Sequence, residues 1–126
     1  MKLLTKEQRE RLLRNGARRG EDHIPVVRLF NPTGAGTWLV SELDPEEPEI
    51  GHGLADLGMG FPELGDISLR ELSEFRGRFG LGIERDLHFN PRGRPISVYA
   101  EAARAAGRIV EFGPELDDAA RKRTRA

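Results

Sequence analysis

No cysteine occurs among the 126 residues of this chain. That absence excludes a disulfide scaffold, a thiolate zinc site and a cysteine nucleophile, and it fits a reducing, intracellular setting. Long apolar runs are also missing. The start, MKLLTKEQRERLL, has no stretch long enough for a signal peptide, and no later stretch spans a bilayer. The chain therefore reads as cytoplasmic, with no membrane partner. Nucleotide-cradling motifs are lacking too. Gly34-Ala35-Gly36 has no GKS or GKT ending, and GxGxxG does not occur. There is no G-x-S-x-G, so Ser41, Ser68, Ser73 and Ser97 have weak support as nucleophiles. His23 and His52 read as loop residues with no HxH, HxxxH or HExxH spacing around them, unlike zinc ligands.

What remains is one domain's length of chain, enough to bury a core without disulfides or metal. The net charge is only -1, but the charges are segregated. The first twenty residues carry Lys2, Lys6, Arg9, Arg11, Arg14, Arg18 and Arg19 against Glu7 and Glu10. From Glu42 to Glu74 ten carboxylates face a lone Arg70. The end is basic again, with Arg121, Lys122, Arg123 and Arg125. Such asymmetry is either ordinary surface solvation or a field that steers partners over about 8 Å, the Debye length at physiological salt.

Local chemistry predicts the elements. Thr5-Lys6-Glu7-Gln8 is a capping box that opens a helix to about Asn15, with Gly16 as a left-handed stop. Arg18 to Asp22 is a charged connector. PVVRLF (25–30) and TWLVSEL (37–43) read as two strands of a hairpin around the turn Asn31-Pro32-Thr33-Gly34. Alternation puts Leu39 and Leu43 on one face, and Trp38, Val40 and Glu42 on the other. DPEEPE (44–49) is an acidic loop that its prolines keep out of helix or central strand.

A third strand begins near Gly53, with Leu57 and Met59 facing away from Leu54 and Asp56, and FPELGD (61–66) is a turn region. Ser68-Leu69-Arg70-Glu71 is a second capping box, for a helix to about Arg76 with Leu69, Leu72 and Phe75 as its stripe. Ile83, Arg85, Leu87 and Phe89 alternate with Glu84, Asp86 and His88, as in a half-buried strand, and Asn90 to Gly93 repeats the Asn-Pro turn. Pro95 starts a third helix with Ile96, Tyr99, Ala103 and Gly107 along one side. RIVEF (108–112) is a last short strand. The expected fold is α+β, an antiparallel-dominated sheet of four to five strands with three short helices. Residues 1–112 form the single domain, and 113–126 a charged, mobile tail.

Three segments together carry a resemblance. WLVSELDPEEPE, DLGMGFPELGDISLREL, and ERDLHF followed by PISVYA resemble the bacterial family known as domain of unknown function 2958 (DUF2958), over roughly residues 3 to 108. The resemblance implies a small cytoplasmic bacterial protein, often met on plasmids and integrated elements. It implies no activity and carries over no catalytic residues.

Candidate chemistry lies in two places. Glu84, Asp86 and His88 would emerge from one strand face at steps of about 6 to 7 Å, too wide for all three to hold one ion from a straight strand. Two of them, helped by Asp56 or Glu63, would suit Mg²⁺ or Mn²⁺ and support a small metal-dependent hydrolase or nuclease. The plainer reading is a solvated sheet face paired to arginines, with no cofactor. The second place is the acidic stretch: Glu42, Asp44, Glu46, Glu47 and Glu49 would dock a basic protein partner. That reading makes the protein a non-enzymatic accessory factor, in an anti-defence or regulatory role if a mobile element encodes it. The N-terminal arginines and basic tail offer phosphate contacts, but no aromatics stand among them to read bases, and strands separate the helices, against a helix-turn-helix.

Overall fold

The capping box at Thr5 forms in full: the Thr5 hydroxyl accepts from Gln8 N–H, and the Gln8 carboxamide accepts from Thr5 N–H. It opens α1 (Lys6–Gly16) in a computed structural model that describes residues 2–125. Gly16 is the last helical residue, not a left-handed stop. A Cβ there would lie 1.7 Å from the carbonyl oxygen of Leu43, so glycine is required because the helix end rests directly on the sheet.

The sheet has five strands: β1 (Val27–Phe30), β2 (Thr37–Leu43), β3 (Ile50–Asp56), β4 (Glu63–Ser68) and β5 (Glu84–Arg85). Their order is β4-β3-β2-β1-β5, and every pairing is antiparallel. β2 is central and buried on both faces. On one face Leu12 of α1 joins Val27, Leu29, Trp38, Val40 and Leu43, with Ile67, Leu69 and Ile83. On the other, Leu39 and its cross-strand partner Leu54 meet α3 (Ile96–Ala106), and α4 (Pro114–Arg125) lies over α3. The α+β class and the antiparallel sheet are as the sequence predicts, with a fourth helix added.

Six expectations give way to tertiary pairing. Leu43 does not share a face with Leu39. The β2–β3 register shifts between Val40 and Glu42, a bulge at Ser41 that moves Leu43 onto the α1 face beside Val40. The bulge is pinned twice: the Ser41 hydroxyl donates to the His52 carbonyl, and Asn15 of α1 donates to the Ser41 carbonyl. His52, expected in a loop, lies in β3 opposite Glu42.

Most of FPELGD is strand, not turn. Gly58 and Gly60, at φ 80° and 84°, turn the chain, and Leu57, Met59 and Phe61 there are exposed. β4 then pairs with β3 from Ala55–Glu63 to Ile50–Ser68. Only Ile67 of β4 is fully buried, so alternation gave no signal. The Ser68 hydroxyl caps α2 (Leu69–Glu74) by accepting from Glu71 N–H.

The strand expected over 83–89 is reduced to Glu84 and Arg85, because Asp86 turns the chain by accepting from His88 N–H. The two Asn-Pro turns match: Asn31 accepts from Thr33 N–H and Asn90 from Arg92 N–H. RIVEF is not a strand. Its residues run back over the domain, with Ile109 N–H bound to Asp56 and Val110 buried against α3 and α4. The segment expected to be a mobile tail forms α4, which buries Leu116 and Ala119 against α3. Ala100, Ala102 and Ala103, all buried, let the helices approach closely. Asp22 of the connector caps α3 by accepting from Ser97 N–H, and Arg123 of α4 reaches the same carboxylate.

Candidate functional site

The five residues expected to share chemistry are spread over the sheet. Glu63 starts β4 and Glu84 starts β5, the two opposite edges, four strand spacings or roughly 19 Å apart. Asp56 is buried at the end of β3, and both its oxygens are used: one accepts from Gly58 N–H at 2.9 Å, the other from Ile109 N–H at 2.9 Å. It holds the β3–β4 loop and the α3–α4 connection together. His88 is exposed, past the end of β5. Among the described residues no group of three or more His, Asp or Glu side chains gathers closely enough to hold a metal ion.

Asp86 does join a cluster, but with partners the motif search missed. Arg28 of β1 lies 3.3 Å from Asp86 and 3.1 Å from Glu111, and its guanidinium sits 5.2 Å from the centre of the Phe30 ring. The three charged side chains are mostly covered. Burial pushes the Glu111 carboxyl above its usual range, and the Asp86 charge adds to this, while Arg28 opposes it. The buried Tyr99 hydroxyl donates to the Pro91 carbonyl at 3.1 Å, and burial first, then the Glu111 charge, raises its pKa. This cluster fastens β1, the β5 turn and the α3–α4 connection. Its one sequence signal was Arg28, a charge inside an apolar strand.

The acidic stretch is divided. Asp44 is taken up locally: its carboxylate accepts from Glu46 N–H at 2.9 Å and from Glu47 N–H, and pairs with Arg19 at 2.7 Å. The Glu46 N–H bond holds its carboxyl below the usual range. Partial desolvation opposes this, and the Glu47 N–H and Arg19 support it. Glu46, Glu47 and Glu49 remain exposed. Glu42, Asp44 and Asp66 of β4 line one open hollow of about 310 Å³ with His52 and Arg19. His52 Nδ1 lies 3.6 Å from an Asp66 oxygen, and Asp66 is itself largely exposed.

The basic segments are partly neutralised. Arg18 pairs with Glu21, Arg121 with Asp118, Lys122 with Glu101 and Arg123 with Asp22. The Arg125 side chain lies outside the described residues. Among those residues no helix is long and apolar enough to cross a membrane.

Fold and surface together define a single-sheet α+β domain with helices on both faces and a carboxylate-lined hollow at one end. The chain belongs to the family described as Protein of unknown function (DUF2958), whose model matches residues 3–110. α4 lies beyond that match. No curated protein and no solved structure matches the chain.

Proposed function

We propose that this is a non-enzymatic docking protein of the bacterial cytoplasm, which receives a basic segment of a protein partner at the acidic end of its sheet. The observation that carries this reading is the hollow where Glu42, Asp44 and Asp66 meet from β2, the β2–β3 loop and β4. Exposed Glu46, Glu47 and Glu49 extend the same charge. Among the described residues that line the hollow, Arg19 is the cation set against it, and it pairs with Asp44.

β4 is also an edge strand with an open backbone. An extended segment bearing Lys or Arg would pair with it and set cations opposite Glu63 and Asp66. Rim charge of this kind sets encounter rate and specificity more than affinity, so association is expected to weaken steeply with salt. No cofactor is needed. For a protein carried on a mobile element, the partner would belong to a defence or regulatory assembly.

The test is site-specific photo-crosslinking in the cells that make the protein, with the reactive residue at position 47 or 66 and, as control, at position 104 on α3. One discrete protein adduct at 47 and 66, absent at 104 and lost when Glu46 and Glu49 are changed to Lys, is expected. Adducts independent of position, or none, overturn the reading.

A further inference from the structure

A second concavity has the opposite character. It is a groove of about 790 Å³ between the N-terminal end of α1, α2 and residues 80–84, on the α1 face of the sheet. Its floor is apolar: Leu4, Leu69, Leu81 and Ile83. Its rim carries four cations, Lys2, Arg9, Arg70 and Arg76, against two carboxylates, Glu49 and Glu84. The groove thus has a net positive rim in a chain whose net charge is -1.

The cations are available. Arg9, Arg70 and the Lys2 ammonium make no ion pair among the described residues. Arg76 is held in the wall, because its guanidinium donates to the carbonyls of Ser73 and Phe75 at the end of α2. Gly82 makes room for it: a Cβ there would lie 3.0 Å from the guanidinium nitrogen and 3.2 Å from the Phe75 carbonyl. One edge of the guanidinium is spent on the helix end, so its position is set before any ligand arrives.

We infer that this groove binds a small amphipathic organic anion, its carboxylate head among Arg9, Arg70 and Arg76 and its aliphatic body on Leu4, Leu69, Leu81 and Ile83. The volume lies within the range of about 300–1,000 Å³ usual for small-molecule sites. Arginine is the side chain whose planar fork matches a carboxylate in two hydrogen bonds. The charge pattern selects the sign: a cationic amphiphile would share the apolar floor and meet four like charges. The site is independent of the acidic hollow, although Glu49 touches both regions.

The experiment is titration of ¹⁵N-labelled protein with decanoate, with decylamine and butyrate as controls. Saturable shifts confined to Leu4, Leu69, Arg70 and residues 80–84 are expected with decanoate, at a Kd of about 1 mM or tighter. Butyrate, which has the head without the body, and decylamine are expected to bind at least about tenfold more weakly. The double variant Arg9→Glu, Arg70→Glu changes exposed residues only and is expected to weaken decanoate binding at least about tenfold. The Arg104→Glu variant and the Lys variants of Glu46 and Glu47 keep it. Loss of crosslinking at the acidic end with decanoate binding intact would separate failure of the docking reading from failure of this one. No saturable binding, equal binding of decylamine, or undiminished binding by the double variant overturns the inference.

Discussion

The two faces of the sheet are closed to different degrees. On the α3 side, Leu39 and Leu54 lie under an alanine-rich helix that a second helix covers in turn. On the α1 side, an eleven-residue and a six-residue helix leave an open groove between them over Leu69 and Ile83. The difference follows from side-chain size and length. Alanines at 100, 102 and 103 let α3 and α4 come together, whereas α2 ends at Glu74, too early to close its side. The same sheet therefore has one side closed by two packed helices and one with an open groove.

The largest expected effect tests that contrast directly. Leu54→Ala on the closed face is expected to cost about 2–5 kcal/mol, through lost transfer energy and a cavity that cannot collapse. Leu81→Ala on the groove floor, where the side chain is 43% exposed, is expected to stay within about 0.5 kcal/mol. Urea denaturation of both variants measures the two values, and equal losses would break the distinction.

Next comes Asp56→Ala. It removes the acceptor of two backbone N–H groups, those of Gly58 and Ile109, at about 1–3 kcal/mol for each one left unsatisfied. Hydrogen exchange is expected to quicken first at residues 57–62 and 107–112. Unchanged exchange there would show that Asp56 does not join the two loops.

The smallest effect is a difference in pH response. Asp44 has a lowered folded pKa, so its contribution is present above its unfolded value and is lost as pH falls through the folded one. Glu111 has a raised folded pKa, so its contribution is full below the unfolded value and is lost as pH rises through the folded one. Asp44→Asn is therefore expected to flatten the acid limb of the stability profile. Glu111→Gln is expected to remove a decline that sets in as pH rises past the unfolded carboxyl value and ends above the raised folded one. Carbon-detected carboxyl titrations of both residues check the directions.

Much of the fold could be read because its signals are short. The Thr5 box links residues three apart, the Asn31 and Asn90 turns link residues two apart, and β2 follows from a run of apolar and β-branched residues. β4 could not be read, because five of its six residues are not fully buried and its strand conformation depends on pairing with β3. α4 looked like a solvated tail, because Leu116 and Ala119 are too few to announce a core helix until the alanine face of α3 is there to receive them. The candidate site fared least well. Alternation predicted one face for Glu84, Asp86 and His88, but the Asp86 turn ends that strand, and Asp86 pairs with Arg28 from 58 residues away.

By itself, then, the sequence determined where α1 begins, where the chain turns at its two Asn-Pro pairs, that β2 is a strand, and the segregation of charge. Each of these rests on hydrogen bonds or composition within a few neighbouring residues. Only the tertiary structure decided the bulge at Ser41, the return of β4, the seating of α4, and which charges meet around Arg28 and at the two concavities. Those depend on contacts between distant segments, whose registers are set by which surfaces fit together and not by any local preference.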